Sequence, residues 1–326
     1  MKKGKDEIIV GILKGFHEKE AEKYRKACED LQFWCEIIDF LSPNWIANIE
    51  KSKADIFMVR PDVSNSVKKQ MYDERLFFLT KSMKKKIYPS YDELFIYENK
   101  RNMAYWLEIN KVPHPKTKVF YLTKNIDPVL DNLKKVSYPI VYKTYIGSAA
   151  QGVKILQSYK QAKNLVNQII KKGFKIKHGD KHDIHWGYAI FQDFIPNAKE
   201  WRIIKIGNSF FGHQKLKSGE FHSGSHKVEW IAPSKKLLRF CKDICDKGNF
   251  TSMDIDLFED ESGRYFVNEL QSIFGSYDPS QMYINGKPGR FLYDRELDDW
   301  IFEEGYFCQN YSHNLRIEFA VSELLR

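Results

Sequence analysis

The stretch that most narrows what this chain can become runs from Ser252 to Gln271. Ser252-Met253-Asp254-Ile255-Asp256-Leu257-Phe258 and Arg264-Tyr265-Phe266-Val267-Asn268-Glu269-Leu270-Gln271 alternate polar and apolar residues, with a polar, Gly263-containing turn between them. Two such runs around a glycine turn predict a β-hairpin. Side chains alternate faces along a strand, so Asp254 and Asp256 share one face, and Glu269 and Gln271 share one face of the partner strand. Carboxylates gathered on a strand face repel unless a cation lies among them, and hard Mg²⁺ takes oxygen ligands and shares them with phosphates. Taken alone, the hairpin is equally compatible with a solvated acidic surface.

The rest of the composition bounds the choice. With 326 residues, 43% hydrophobic and 15% aromatic, the chain is globular and long enough for two or three cores. No apolar run approaches the roughly 20 residues that span a bilayer. The N-terminus passes from charged residues into a short strand with no small-residue cleavage site, so the expectation is a soluble cytoplasmic protein without a membrane partner. Five cysteines form an odd, sparse set, which argues for reduced thiols; Cys241 and Cys245 could share a helix face but lack a second pair for zinc. A net charge of +9 suits anionic partners. Its scattered lysines and arginines, clustered only at Lys84–Lys86 and Lys171-Lys172, argue against nucleic acid.

Read in order, the chain opens with a strand (Ile8–Leu13), a helix (Glu18–Leu31) and two further strands (Trp34–Phe40, Ala54–Pro61), a βαβ pattern that predicts a small α/β layer with a parallel sheet. Arg60 ends the third strand, where parallel sheets bind ligands. Asn99 is a plausible N-cap for a helix over 100–109. Lys100 then falls in the first turn, where the helix dipole disfavours a cation, so it is either solvated or answers a nearby anion. Strands at 138–145 and 153–156 flank the small-residue loop Gly147-Ser148-Ala149-Ala150-Gln151-Gly152. No Lys-Ser/Thr follows it and a strand takes the place of a helix, so it is not a Walker motif. Its backbone N–H groups could still meet phosphate oxygens, with Lys143 adding charge. A helix over 159–172 leads to a loop over 177–185 with three histidines, read as a mobile surface loop rather than a metal site. Beyond it come a strand at 188–196 and a hairpin, Glu200–Ile206 with Ser209–Lys215, joined at Gly207-Asn208.

In order and spacing these pieces resemble the ATP-grasp superfamily, in particular the RimK-like and D-alanine–D-alanine-ligase-like carboxylate–amine ligases, over roughly residues 54 to 275. The resemblance rests on Arg60 at a strand end, Lys100 opening a helix that leads to Pro113-His114-Pro115-Lys116-Thr117, and Lys143 before the glycine loop. It rests further on Glu200-Trp201-Arg202, and on Asp256 and Glu269, which stand seven residues before and six after Gly263. It implies mixed α/β and α+β architecture: an N-terminal α/β domain (1–97), a small ATP-grasp subdomain with the glycine loop (98–191) and a large subdomain with the metal site (192–326).

The resemblance implies that ATP and Mg²⁺ are cofactors. Lys100, Lys143, Gly147, Ser148, Gln151 and Gly152 would meet the phosphates, Gln192-Asp193-Phe194-Ile195 the adenine, and Glu200 the ribose. Asp256, Glu269 and Gln271 would hold Mg²⁺. Arg202, Lys215 and Arg60 would serve the reacting groups. The implied reaction activates a carboxylate, of a small molecule or polymer such as an amino acid, peptide or acidic sugar, as an acyl phosphate and joins it to an amine. Two positions depart from the family pattern: Asn99 where Asp is usual, and Gln271 where Asn is usual. Gln271 offers the same amide oxygen on a longer arm, and it motivates the alternative of a nucleotide-binding module with weakened catalysis. A nucleic-acid-binding protein is the remaining alternative, and an oligomer is compatible with the sequence. Residues 276–326 carry no recognised motif.

Overall fold

The computed structural model describes residues 4, 7–16, 18–147, 150–176, 179–217, 227–274 and 280–325. The chain begins with β1 (Ile9–Lys14), α1 (Glu18–Leu31), β2 (Trp34–Asp39), α2 (Trp45–Lys51), β3 (Ile56–Met58), α3 (Ser66–Phe77), β4 (Ile87–Tyr88) and α4 (Tyr91–Ile96). The four strands form a parallel sheet in the order β2-β1-β3-β4, as the βαβ pattern predicts. Helix α4 starts at a capping box in which Ser90 accepts from the Glu93 N–H and Glu93 from the Ser90 N–H. Glu93 is fully buried and also accepts from the backbone N–H groups of Thr251 and Ser252, at 2.7 and 2.6 Å. One carboxylate thus ties the end of the first layer to a strand start far along the chain.

Helix α5 (Lys100–Ile109) begins at Asn99, whose side chain accepts from the Asn102 N–H as an N-cap does. Next come β5 (Thr117–Tyr121), α6 (Asp127–Leu133), β6 (Ile140–Lys143), β7 (Val153–Leu156), α7 (Tyr159–Lys172) and β8 (Tyr188–Asp193). Their strands make an antiparallel sheet in the order β5-β8-β6-β7. Helices α6 and α7 cover one face of it, burying Val129, Leu133, Leu165 and Ile169 against Tyr142 and Phe191.

The third sheet takes β9 (Lys199–Ile206), β10 (Ser209–Lys215), β11 (Val228–Glu229), β12 (Ser252–Glu259), β13 (Tyr265–Gln271), β14 (Met282–Ile284), β15 (Lys287–Asp294) and β16 (Asp299–Glu304), with α8 (Lys235–Gly248) between β11 and β12. Its main path runs β13-β12-β9-β10-β15-β14. Alternation divides it cleanly. Trp201, Ile203, Ile255, Leu257 and Leu270 turn into one core with α5 and α8, where Cys241 and Cys245 are simply buried apolar contacts. The opposite face carries the charged residues considered below.

The last helix, α9 (Gln309–Leu324), returns to the first layer: Ile317, Ala320 and Val321 share a core with Tyr24, Ala27, Ile56 and Met58. Its first turn is left-handed at Asn310, Tyr311 and Ser312, with φ of 48°, 55° and 70°. Asp30 of α1 accepts hydrogen bonds from Asn310 and Asn314 there. Among the described residues no helix is long and apolar enough to cross a membrane.

Candidate functional site

Strand register assembles the site. Arg202 lies between His213 on β10 and Asp256 on β12, Asp256 is opposite Glu269 on β13, and Lys215 is opposite Glu200. Residues opposite one another share a face, so these side chains, with Asp254 and Gln271 one pair further along, gather on the side of the sheet away from the α5/α8 core. Arg202 grips Asp256 with two hydrogen bonds, Nε to Oδ1 at 2.9 Å and Nη2 to Oδ2 at 2.8 Å. Lys215 Nζ is 3.0 Å from the same carboxylate and also hydrogen-bonded to Glu200. Burial would raise the Asp256 pKa, but Arg202 and Lys215 outweigh it and hold the carboxyl well below its usual range.

Asp254 contrasts with its neighbour. Arg202 Nε is 3.0 Å from its Oδ2, but that N–H is directed at Asp256, and both Asp254 oxygens are buried without a hydrogen-bond partner. Burial, reinforced by the Asp256 charge against the opposing pull of Arg202, pushes its pKa well up. His213 is pushed down to about 3 by burial and then by Arg202, which leaves its imidazole neutral.

Two lysines face this sheet from the other side of a cleft. Lys100 Nζ sits 2.9 Å from Glu269 Oε1 and donates to the Gly147 carbonyl at 2.8 Å. The cation in the first turn of α5 therefore answers an anion. Lys143 Nζ donates to Asn268 Oδ1 at 2.7 Å. Asn268 reaches that place because the β12–β13 register shifts between Asp256 and Leu257, a bulge that re-aims the side chain. Glu98, buried at a φ of 47°, accepts from the Gly147 N–H at 3.3 Å and lies 3.9 Å from Lys100.

Glycine is required at both described ends of the loop. Gly147 has a φ of 129°, and a Cβ on Gly152 would stand 1.9 Å from Thr144 Oγ1. Gln151 between them is exposed, and Ser148 falls outside the described residues. The cleft between loop and sheet, about 120 Å³, is lined by Lys100, Lys143, Gly147, Glu200, Asn268 and Glu269, and at its hinge end by Gln192, Asp193, Phe194 and Ile195. Gln192 is buried and donates to Thr117 Oγ1 at 2.9 Å, while Asp193 is exposed at the end of β8.

Of the residues singled out from sequence, Lys100, Lys143, Gly147, Gln192 to Ile195, Glu200 and Glu269 line the cleft, Arg202, Lys215, Asp256 and Gln271 lie on the adjoining sheet face, and Arg60 is in neither group. Its Nε is 2.8 Å from Glu20 of α1, and His313 of α9 stands 3.4 Å from the same carboxylate oxygen. Among the described residues no cluster of three or more His, Cys, Asp or Glu side chains could hold a metal ion. In the histidine loop His185 is buried against the Tyr188 hydroxyl at 2.8 Å, while Asp180 and Asp183 hydrogen-bond Asn65 and Ser66 at the start of α3. The segment read as mobile is docked by these two carboxylates. Sequence reasoning missed Glu98, Asn268 and the neutral His213. Adjacency to Lys100 was the available signal for Glu98.

Residues 98–283 match the RimK-like ATP-grasp domain. Among solved structures, a RimK domain ATP-grasp protein from Sphaerobacter thermophilus is similar with a TM-score of 0.55 at 14% identity, over 80% of this chain and 89% of that one. N5-carboxyaminoimidazole synthetase from Staphylococcus aureus gives 0.58 at 14%, over 91% and 85%. D-alanine–D-alanine ligase from Bacillus anthracis gives 0.54 at 12%, over 82% and 87%. A comparison with curated proteins found no match. The structural likenesses speak for the fold, and the domain match, which spans more than half of the chain, establishes that this protein belongs to the RimK-like ATP-grasp family, whose cofactors are ATP and Mg²⁺.

Proposed function

We propose that this chain is an ADP-forming carboxylate–amine ligase acting on an amino acid, a peptide or an acidic sugar. The observation that carries this reading is the cleft itself. Lys100, Lys143 and Glu200 are buried in the lining of one small cavity, and Lys215, Asp254 and Asp256 are buried on the same sheet face as Glu200. Burying charge is costly even when it is paired, so a concentration of this kind is a mark of a functional site.

The donor set suits Mg²⁺. Asp256 and Glu269 face each other across a strand pair, with the amide of Gln271 nearby on the same face. Mg²⁺ is held by one or two carboxylates while phosphates and water complete its shell, so no third acid is needed. Gln271, where the family has Asn, supplies the same type of oxygen. ATP with Mg²⁺ supplies the phosphoryl group that activates the carboxylate.

The remaining work belongs to the chain. Lys100 and Lys143, both beside Glu269, neutralise phosphate charge, and the Gly147–Gly152 loop lets backbone N–H groups come close. Gln192 to Ile195 border the base, and Glu200 the ribose. Arg202, fixed in plane by its two bonds to Asp256, stabilises charge on the oxygens in transfer, supported by Lys215. Positioning and electrostatics provide most of the catalysis, because phosphoryl transfer asks little covalent chemistry of a protein.

The test is ADP release from ATP and Mg²⁺ in the presence of a panel of acids and amines. Asp256→Asn combined with Glu269→Gln is expected to lower the rate by about 10²-fold or more; full activity in that variant overturns the assignment. ATP binding with no ADP across the panel would favour a nucleotide-binding module, the reading that Gln271 motivates.

A further inference from the structure

A cavity larger than the cleft lies on the far face of the β5-β8-β6-β7 sheet, whose near face borders the cleft. It measures about 650 Å³, against about 120 Å³ for the cleft. Strand alternation sends Lys118, Phe120 and Phe191 to this face, while Gln192 and Lys143 point to the cleft. The ligation chemistry uses none of the first three.

The chemistry of the cavity is specific. Its floor is apolar and aromatic, formed by Phe120, Phe191, Leu133 and Ile140. Its rim carries Lys116, Lys118 and Lys135, against a single carboxylate, Asp193. Lys118 Nζ rests on a neutral acceptor, Asn132 Oδ1, at 2.8 Å, so its charge is not cancelled there. Pockets of a few hundred Å³ with an apolar lining and a few convergent polar groups are the usual form of a small-molecule site. Lysines around an aromatic floor select a flat apolar body that carries an anionic group.

The cavity also touches the hinge. Gln192, Asp193 and Phe194 border both spaces. Lys116, which lines the cavity, and the next residue, Thr117, are tied to the hinge by the Asp193 N–H donating to the Lys116 carbonyl at 2.9 Å and by Gln192 donating to Thr117 Oγ1. A ligand settled against Lys116 and Lys118 therefore acts on the same backbone that borders the cleft.

We propose that this cavity is an effector site for a small organic anion, a carboxylate, sulfonate or phosphate on a planar apolar body, and that its occupancy changes nucleotide affinity through the shared hinge. The coupling, but not the site, rests on reading the cleft as the nucleotide site.

The probe is 8-anilinonaphthalene-1-sulfonate, followed by fluorescence with the full chain. One saturable site is expected, and Lys118→Gln with Lys135→Gln should weaken it about tenfold or more. The exposed changes Lys116→Gln and Lys135→Gln, each made alone with an unchanged melting temperature, should each weaken it by about threefold, which keeps the test valid if Lys118 proves necessary for folding. Saturating ADP with Mg²⁺ should leave the stoichiometry at one and shift the probe affinity by about fivefold or more. Unchanged affinity in the lysine variants, or one-for-one displacement by ADP, overturns the site. Lysine dependence without an ADP effect, in a chain shown separately to bind ADP, overturns the coupling alone. A chain that binds the probe but no ADP counts against the nucleotide reading and not against the site.

Discussion

Lys143 shows how one residue can report on the whole cleft. Burial pushes its pKa down to about 8 from an ordinary 10.5, and Glu269 opposes that shift only in part. Between those two values the unfolded chain binds more protons than the folded one, so the ligand-free protein gains stability as pH rises from about 8 towards 10.5 and carries the full penalty below about 8. A polyphosphate beside Nζ favours the charged form. Nucleotide binding near pH 8 is therefore expected to take up protons and to weaken as pH rises further. Calorimetry in two buffers of different ionisation enthalpy measures the uptake, and Lys143→Arg should abolish it; equal heats for the native chain would refute the assignment. Lys143, Lys100, Arg202, Asp256 and Glu269 were picked out because their order and spacing resemble the ATP-grasp pattern, and the structure places Lys100, Lys143 and Glu269 in the cleft lining with Arg202 and Asp256 on the adjoining sheet face. Asn268 was not picked out, because it enters through a register shift that no side-chain pattern encodes. The Arg60–Glu20 pair was equally hidden, since it depends on how α1 lies over the sheet.

At the scale of elements, the segment before β8 acts as a clip between two layers. Asp183 accepts from the Ser66 N–H at 2.9 Å and from its hydroxyl, and so caps α3 from a distant part of the chain. Asp180 adds a bond from Asn65 at 3.0 Å. Asp183→Ala is expected to cost about 1 to 2 kcal/mol, the worth of a helix N-cap. It should lower the melting temperature and speed proteolysis within residues 173–187; identical cleavage rates would show that the clip bears no load. The hairpins were legible because a period of two over seven or eight residues has few other meanings. Helix α8 was equally readable from Ser234, its N-cap, and from Leu237, Leu238, Cys241, Ile244 and Cys245 on one face, of which the sequence reading noted only that the two cysteines could share a helix face. Strands β14 to β16 gave no comparable signal, because they extend the sheet at its edge and are only partly buried.

On the scale of the molecule, the order of the layers could be read from the motifs, but the place of the last helix could not. Nothing in residues 309–324 says that α9 packs on α1 and β3, since an apolar helix face does not name its partner. Ile317 is fully buried there, and Ile317→Ala is expected to cost about 2 to 5 kcal/mol. Hydrogen exchange should then quicken in β1 and β3 while β12 and β13 keep their protection; uniform quickening would mean that the layers unfold as one. The return of α9 also sets an order on synthesis. Asp30 waits 280 residues for Asn310 and 284 for Asn314. A ribosome adds residues one at a time, and domains ordinarily fold as they emerge, N-terminal first. Here β1 and β3 leave the tunnel with one face uncovered, and the segment that covers it is translated some 280 residues after α1.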